Sequence, residues 1–134
     1  MSYCFELRTD RPILLNRLGP QFEPDLIPVM AAETMTLLDR IARRVYYLID
    51  ADGIQLGMND VLQGTYAGVL GANPPLRHHN LIETLVVTAD PILTMAARSV
   101  GSPQFGHVQI TALPTLDEAL AYVDARIAAA RSQA

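Results

Sequence analysis

The sequence predicts an α/β fold: a single mixed β-sheet with packed helices, in the order ββαβαβαβα. Three observations carry this. Val45 to Ile49 is apolar without alternation, the pattern of a strand covered on both faces, and Leu81 to Thr88 reads as a second buried strand. Segments with apolar residues at three- and four-residue steps alternate with them. Proline, glycine and acidic turn signals separate the two kinds of segment. With 134 residues, half of them hydrophobic, the chain reads as one domain over 1–134, large enough to bury roughly two-thirds of its unfolded surface.

The elements follow in order. Tyr3 to Arg8 and Ile13 to Leu18 are β-prone runs separated by Thr-Asp-Arg-Pro, a turn-like sequence, and read as a hairpin. Ile27, Met30, Leu37, Leu38 and Ile41 predict a helix from about Leu26 to Arg43, and Pro28, tolerable only in a first turn, puts its start near Asp25. After the strand at Val45, a stripe of Met58, Val61, Leu62, Tyr66, Val69 and Leu70 predicts a second helix, with Asn59 or Asp60 as its N-cap. Pro74 and Pro75 make the next stretch a loop. Asp90-Pro91 reads as a cap and first-position proline, opening a helix that runs to about Val100. His107 to Leu113 is the final strand. Thr115 and Glu118 form a capping box for a helix whose buried stripe is Leu116, Ala119, Leu120, Val123 and Ile127.

Composition excludes several function classes. The net charge of −4 and the scattered basic residues argue against a nucleic-acid partner. Arg40, Arg43 and Arg44 form the one basic cluster, read as a solvated helix end whose cations suit the C-terminal dipole. The chain has no lysine, which removes Schiff-base and P-loop chemistry and the lysine of a phosphoacceptor receiver site. The single Cys4 cannot form an internal disulfide, and charged residues interrupt the first apolar run, so neither a signal peptide nor a membrane span is expected. A reducing cytoplasm is the expected location.

The working edge is expected at Val45 to Asp60, where an apolar strand runs into an acidic, Gly-containing turn and then a helix; ligands of open α/β sheets gather at such junctions. Asp50, Asp52 and Gly53 mark the turn. Two carboxylates there could hold a hard cation, but the simpler role for Asp50 is to bond turn amides around Gly53, and no metal or cofactor is expected. Gly64, Gly68 and Gly71 fall on one stripe of the second helix. Each interior glycine costs roughly 1 kcal/mol against alanine, which points either to close approach by a partner helix, a second copy or a ligand, or to tight packing on the protein's own sheet. His78, His79 and His107 lack metal-ligand spacing and read as surface loop histidines. No acid, base and nucleophile set can be assigned, so no catalytic residue is expected.

This order of elements resembles the STAS domain, the SpoIIAA-like fold of anti-sigma-factor antagonists. Leu18-Gly19-Pro20 falls where that family closes its second strand with glycine. Val45 to Gly53 resembles its apolar strand ending in Asp-x-Ser-Gly, with Asp50 and Gly53 in place, and Ile110 to Ala121 is similar to its last strand and Thr-x-x-Glu-Ala helix start. The likeness is closer to divergent SpoIIAA-like proteins than to the sporulation regulators. Regulatory members carry a phosphoacceptor serine at the start of the helix after this strand. By position that place falls on Asn59 or Asp60, and no serine occurs between Ser2 and Ser99. Asp60 is either a helix cap or an imitation of the phosphorylated state. The resemblance also makes the second helix partner-facing.

The expected function is therefore a non-enzymatic, STAS-like regulatory or protein-interaction module lacking the phosphoacceptor serine, with a protein partner or homodimer engaged through Asp50, Asp52, Gly53, Asn59, Asp60, Gly64 and Gly68. The alternative is a small apolar-ligand binder, since the broader SpoIIAA-like architecture includes relatives of the CRAL-TRIO lipid carriers.

Overall fold

The computed structural model describes residues 2–54, 57, 59–60, 75–99 and 110–132. Its strands are β1 (Tyr3–Leu7), β2 (Ile13–Leu18), β3 (Val45–Asp50), β4 (Leu81–Val87) and β5 (Ile110–Leu113), joined in one five-stranded sheet of order β1-β2-β3-β4-β5. β1 and β2 form the expected antiparallel hairpin, from Tyr3 opposite Leu18 to Leu7 opposite Leu14, and the remaining pairs are parallel. Among the described residues, three helices pack on the sheet: α1 (Ile27–Arg40), α2 (Pro91–Ser99) and α3 (Leu116–Ser132). The α/β class and the mixed sheet are as expected. The full order is matched only in part, because the helix expected between β3 and β4 falls on residues outside those described, apart from Asn59 and Asp60, whose backbone is helical. Among the described residues, no helix is long and apolar enough to cross a membrane.

Strand alternation divides the core between two faces. On one, Ile13, Leu15, Tyr46, Leu48, Leu85 and Val87 pack with Ala119 and Val123 of α3; on the other, Leu14, Val45, Tyr47 and Leu81 pack with Leu38 of α1. Val45, Tyr46, Tyr47 and Leu48 are all buried, so β3 is covered on both sides.

One irregularity decides a side-chain placement. Val45 pairs with Leu81, but Tyr46 pairs with Glu83, so Ile82 is an extra residue in β4. Such a bulge shifts the alternation by one. Leu81 therefore faces α1 while Glu83, Leu85 and Val87 face α3.

α1 ends at Arg40, earlier than the expected Arg43. Ile41 is extended (φ −74, ψ 127), and its N–H closes the last turn on the Leu37 carbonyl. Arg43 and Arg44 thus lie past the helix, still exposed, and each also reaches a backbone carbonyl: Arg43 Nη2 donates to Arg8 O at 2.8 Å and Arg44 Nη2 to Leu81 O at 3.4 Å.

Between the sheet and α1 runs a buried hydrogen-bonded chain. Asn16 Nδ2 donates to the Tyr47 hydroxyl at 3.0 Å. Thr34 Oγ1 spends its hydrogen on Met30 O at 2.8 Å, so at the 3.0 Å contact between the hydroxyls it is Tyr47 that donates to Thr34. Burial, against the pull of these two bonds, raises the Tyr47 pKa and keeps the phenol protonated. Where the Tyr3 hydroxyl donates to Glu33 of α1 at 2.6 Å, burial and then this carboxylate push the Tyr3 pKa up to about 12.

The Thr115 hydroxyl accepts the Glu118 amide at 3.2 Å, the expected cap of α3. The same helix is tied to the β1–β2 turn: Arg11 Nε and Nη2 meet Asp124 Oδ1 and Oδ2 at 2.7 and 3.0 Å. The Arg11 hydrogen bond lowers the Asp124 pKa. A carboxylate with a depressed folded pKa adds stability that is fully present above its unfolded value and is lost as pH falls through the folded one. The stability gap between wild type and Asp124→Asn is therefore expected to be level above about pH 5 and to close in more acid solution, relative to an ordinary Asp pKa of about 3.9. Thermal melts of both proteins across this range check it; a gap independent of pH would mean the ion pair is not its source.

Candidate functional site

The C-terminal edge of the parallel strands is built by two turns. β3 ends at Asp50, and the buried Ala51 keeps the ladder for one more bond, its N–H reaching Val87 O at 2.9 Å. Ile54 N–H then bonds Ala51 O at 3.1 Å, closing a tight turn. Gly53 takes φ +79 in it, a left-handed value costly to residues with a Cβ. A Cβ at Gly53 would meet nothing within 4 Å, so the glycine is required by backbone conformation and not by space. As expected, Asp50 serves the turn: its Oδ1 accepts the Asp52 amide at 3.2 Å.

The second turn follows β4. Thr88 is buried, its N–H bonded to Leu113 O at 2.8 Å and its Oγ1 accepting the Asp90 amide at 3.0 Å. Asp90 Oδ1 accepts the Ile92 N–H at 2.9 Å, the N-cap of α2 read from Asp90-Pro91. Between the two turns lies an open groove of about 480 Å³, with Asp52, Gly53 and Ile54 on one wall and Thr88 through Ile92 on the other.

Of the expected site residues, Asp52 and Gly53 line this groove and Asp50 braces its rim. Asn59 and Asp60 require a correction. Asp60 Oδ2 accepts the N–H of Gly57, three residues upstream, at 2.9 Å. That is the direction taken by the third-position carboxylate of a capping box, so Asp60 stands inside the first turn and is not the cap itself. Asn59, also helical and exposed, is not a cap either. Gly64, Gly68, Gly71 and His107 lie outside the described residues.

Sequence reasoning missed three features. The Thr88–Asp90 wall was legible only as a helix start. His78 is not a surface histidine: its side chain is 4% exposed, with Nε2 at 2.6 Å from Asp39 Oδ1 of α1. Nδ1 accepts the Asn80 N–H at 3.0 Å, so the ring proton lies on Nε2 and is donated to Asp39. Both ring nitrogens are thus spent on anchoring the loop. His79 stacks on it with centroids 4.5 Å apart.

The third is Glu83. This carboxylate is 5% exposed, and Oε2 accepts both Thr111 Oγ1 at 2.7 Å and the Tyr122 hydroxyl at 2.8 Å. Arg126 of α3 completes the cluster, with Nη2 3.6 Å from Oε1 and Nε donating to the Tyr122 hydroxyl at 3.1 Å. Burial and then this carboxylate raise the pKa of neighbouring Tyr46. No local sequence signal announces the cluster, since its members lie 28 and 39 residues from Glu83. Among the described residues, no three His, Cys, Asp or Glu side chains are grouped to hold a metal ion.

No family model matches the chain, and no curated protein or solved structure matches it either.

Proposed function

We propose that this chain is a non-enzymatic, STAS-like recognition module of the cytoplasm, taking a protein partner on the β3–β4 edge and working without a phosphoacceptor serine. The observation that carries the reading is the groove between the two turns, whose rim is pre-set. Asp50, Thr88 and Asp90 each accept an amide of their own turn, which suits a docking surface better than a proton-transfer site. Asp52 is exposed at this rim and supplies charge. The mixed sheet with an antiparallel first strand agrees with what the resemblance implies. At the place of the family's phosphoacceptor, Asp60 holds the Gly57 amide, which favours a structural role over imitation of a phosphate.

Paired affinity captures from extract of the native host test the reading. Wild type is expected to retain a stoichiometric protein that Asp52→Arg binds about tenfold more weakly, a difference of ~1.4 kcal/mol. Equal retention by both would remove the partner from this edge. A small molecule of reproducible mass on the native protein, with no protein retained, would favour the apolar-ligand reading instead.

A further inference from the structure

β1 is the first strand of the sheet, and among the described residues no strand pairs with its outer side, where the Phe5 carbonyl meets only the Cys4 thiol of its own strand, at 3.8 Å. The Arg8 N–H bonds Ile13 O, and the Gly19 N–H bonds Ser2 O. Residues 2, 4, 6 and 8 therefore turn their peptide groups toward β2. By the alternation of an antiparallel ladder, Tyr3, Phe5 and Leu7 turn their N–H and C=O groups outward. Exposed edges are usually blunted by lysine, proline or a bulge. None of these interrupts Tyr3–Leu7, and Glu6 is the one charged residue in the strand.

We propose that this edge pairs with the same edge of a second copy, antiparallel about a twofold axis at Phe5, so that the two sheets become one. The outward groups select the register. Placing Phe5 opposite Phe5, and Tyr3 opposite Leu7, uses the outward N–H and C=O of all three residues; sliding by two residues in either direction strands some of them.

The side chains match in that register. Tyr3, Phe5 and Leu7 share the α1 side of the sheet, where Phe5 packs against the core and Tyr3 bonds Glu33. Leu7 is 47% exposed. Pairing sets it against Tyr3 of the second copy and covers it. Val29, 52% exposed, precedes Glu33 by one helical turn on the same side of α1 and flanks the seam. On the opposite side of the sheet, Cys4 meets Glu6 of the second copy. Glu6 is already paired with its own Arg8 at 2.9 Å, so no like charges stand directly opposed. A foreign strand could satisfy the backbone equally well. The twofold match of Tyr3 to Leu7 belongs to this sequence paired with itself.

Native mass spectrometry at micromolar concentration, combined with cross-linking, tests both the dimer and its register. Wild type is expected to be a dimer, and Leu7→Lys a monomer with an unchanged circular dichroism spectrum. In a non-hydrogen-bonded pair the Cα atoms lie about 4.5 Å apart, within the disulfide range of about 4.4–6.8 Å. Oxidised Glu6→Cys should therefore form a reducible covalent dimer through Cys4 of the second copy, while wild type and the Cys4→Ser/Glu6→Cys double variant should not. A monomeric wild type overturns the proposal without reference to any variant. So does a Glu6→Cys dimer that fails to cross-link, or cross-linking of wild type, which would require Cys4 opposite Cys4.

Discussion

Leu85→Ala is expected to destabilise the protein by about 2–5 kcal/mol. Leu85 is fully buried at the middle of β4, between Leu48 of β3 and Thr111 of β5, in the cluster that α3 covers with Ala119 and Val123. Truncation removes the transfer free energy of the side chain and leaves a cavity. The neighbours can do little to fill it. Ladder bonds on both sides hold β4, and the buried helix residues of the cluster, Ala119 and Val123, are short. A urea titration should show a lower midpoint with an unchanged slope, the mark of lost stability without a changed denatured state. A loss below about 1 kcal/mol would mean that α3 settles into the space.

Tyr47→Phe comes second, at about 1–3 kcal/mol for the removal of one oxygen. The Tyr47 hydroxyl is the middle of the chain from Asn16 to Thr34, accepting from one and donating to the other. Without it the Asn16 amide is left in the core with a donor and no acceptor, and Asn16 Oδ1 already has no partner among the described residues. The penalty is that of a buried polar group stripped of its bond, and it exceeds the net worth of the bond itself. The double variant Asn16→Leu/Tyr47→Phe should consequently cost less than the sum of the two single changes. Strict additivity in chemical denaturation would show that the two groups do not depend on each other.

Features of the fold were legible where local chemistry and tertiary demand agree. Val45 to Ile49 reads as a strand covered on both faces because apolar and aromatic residues run through it without alternation, and the sheet does bury Val45 through Leu48. Asp90 and Thr115 read as caps because capping is settled within three residues of chain. Contacts fixed at long range were not legible. Nothing local singles out Glu83 within its strand, and only the bulge at Ile82 and side chains from β5 and α3 explain how a carboxylate is buried there. His78 follows two prolines and looks like exposed loop; its partner Asp39 is 39 residues away. At the candidate site, Asp50 and Gly53 were legible from the turn they form. The facing wall was not, since no sequence pattern shows that the ends of β3 and β4 stand side by side.

The Glu83 cluster also bears on how α3 finds its place. Its inward side centres on Ala119 and Val123, with Leu116, Leu120, Tyr122 and Ile127 packed around them, and apolar contact of this kind is non-directional. The Glu83 carboxylate adds direction: from α3 it takes Tyr122, with Arg126 one turn beyond, and a slip of the helix by a turn would withdraw both from it. Thr111 belongs to β5 and Glu83 to β4, so the cluster closes only when those strands already lie together. The seating of the helix and the pairing of β4 with β5 are thus tied to one buried charge, and losing either leaves Glu83 short of a partner.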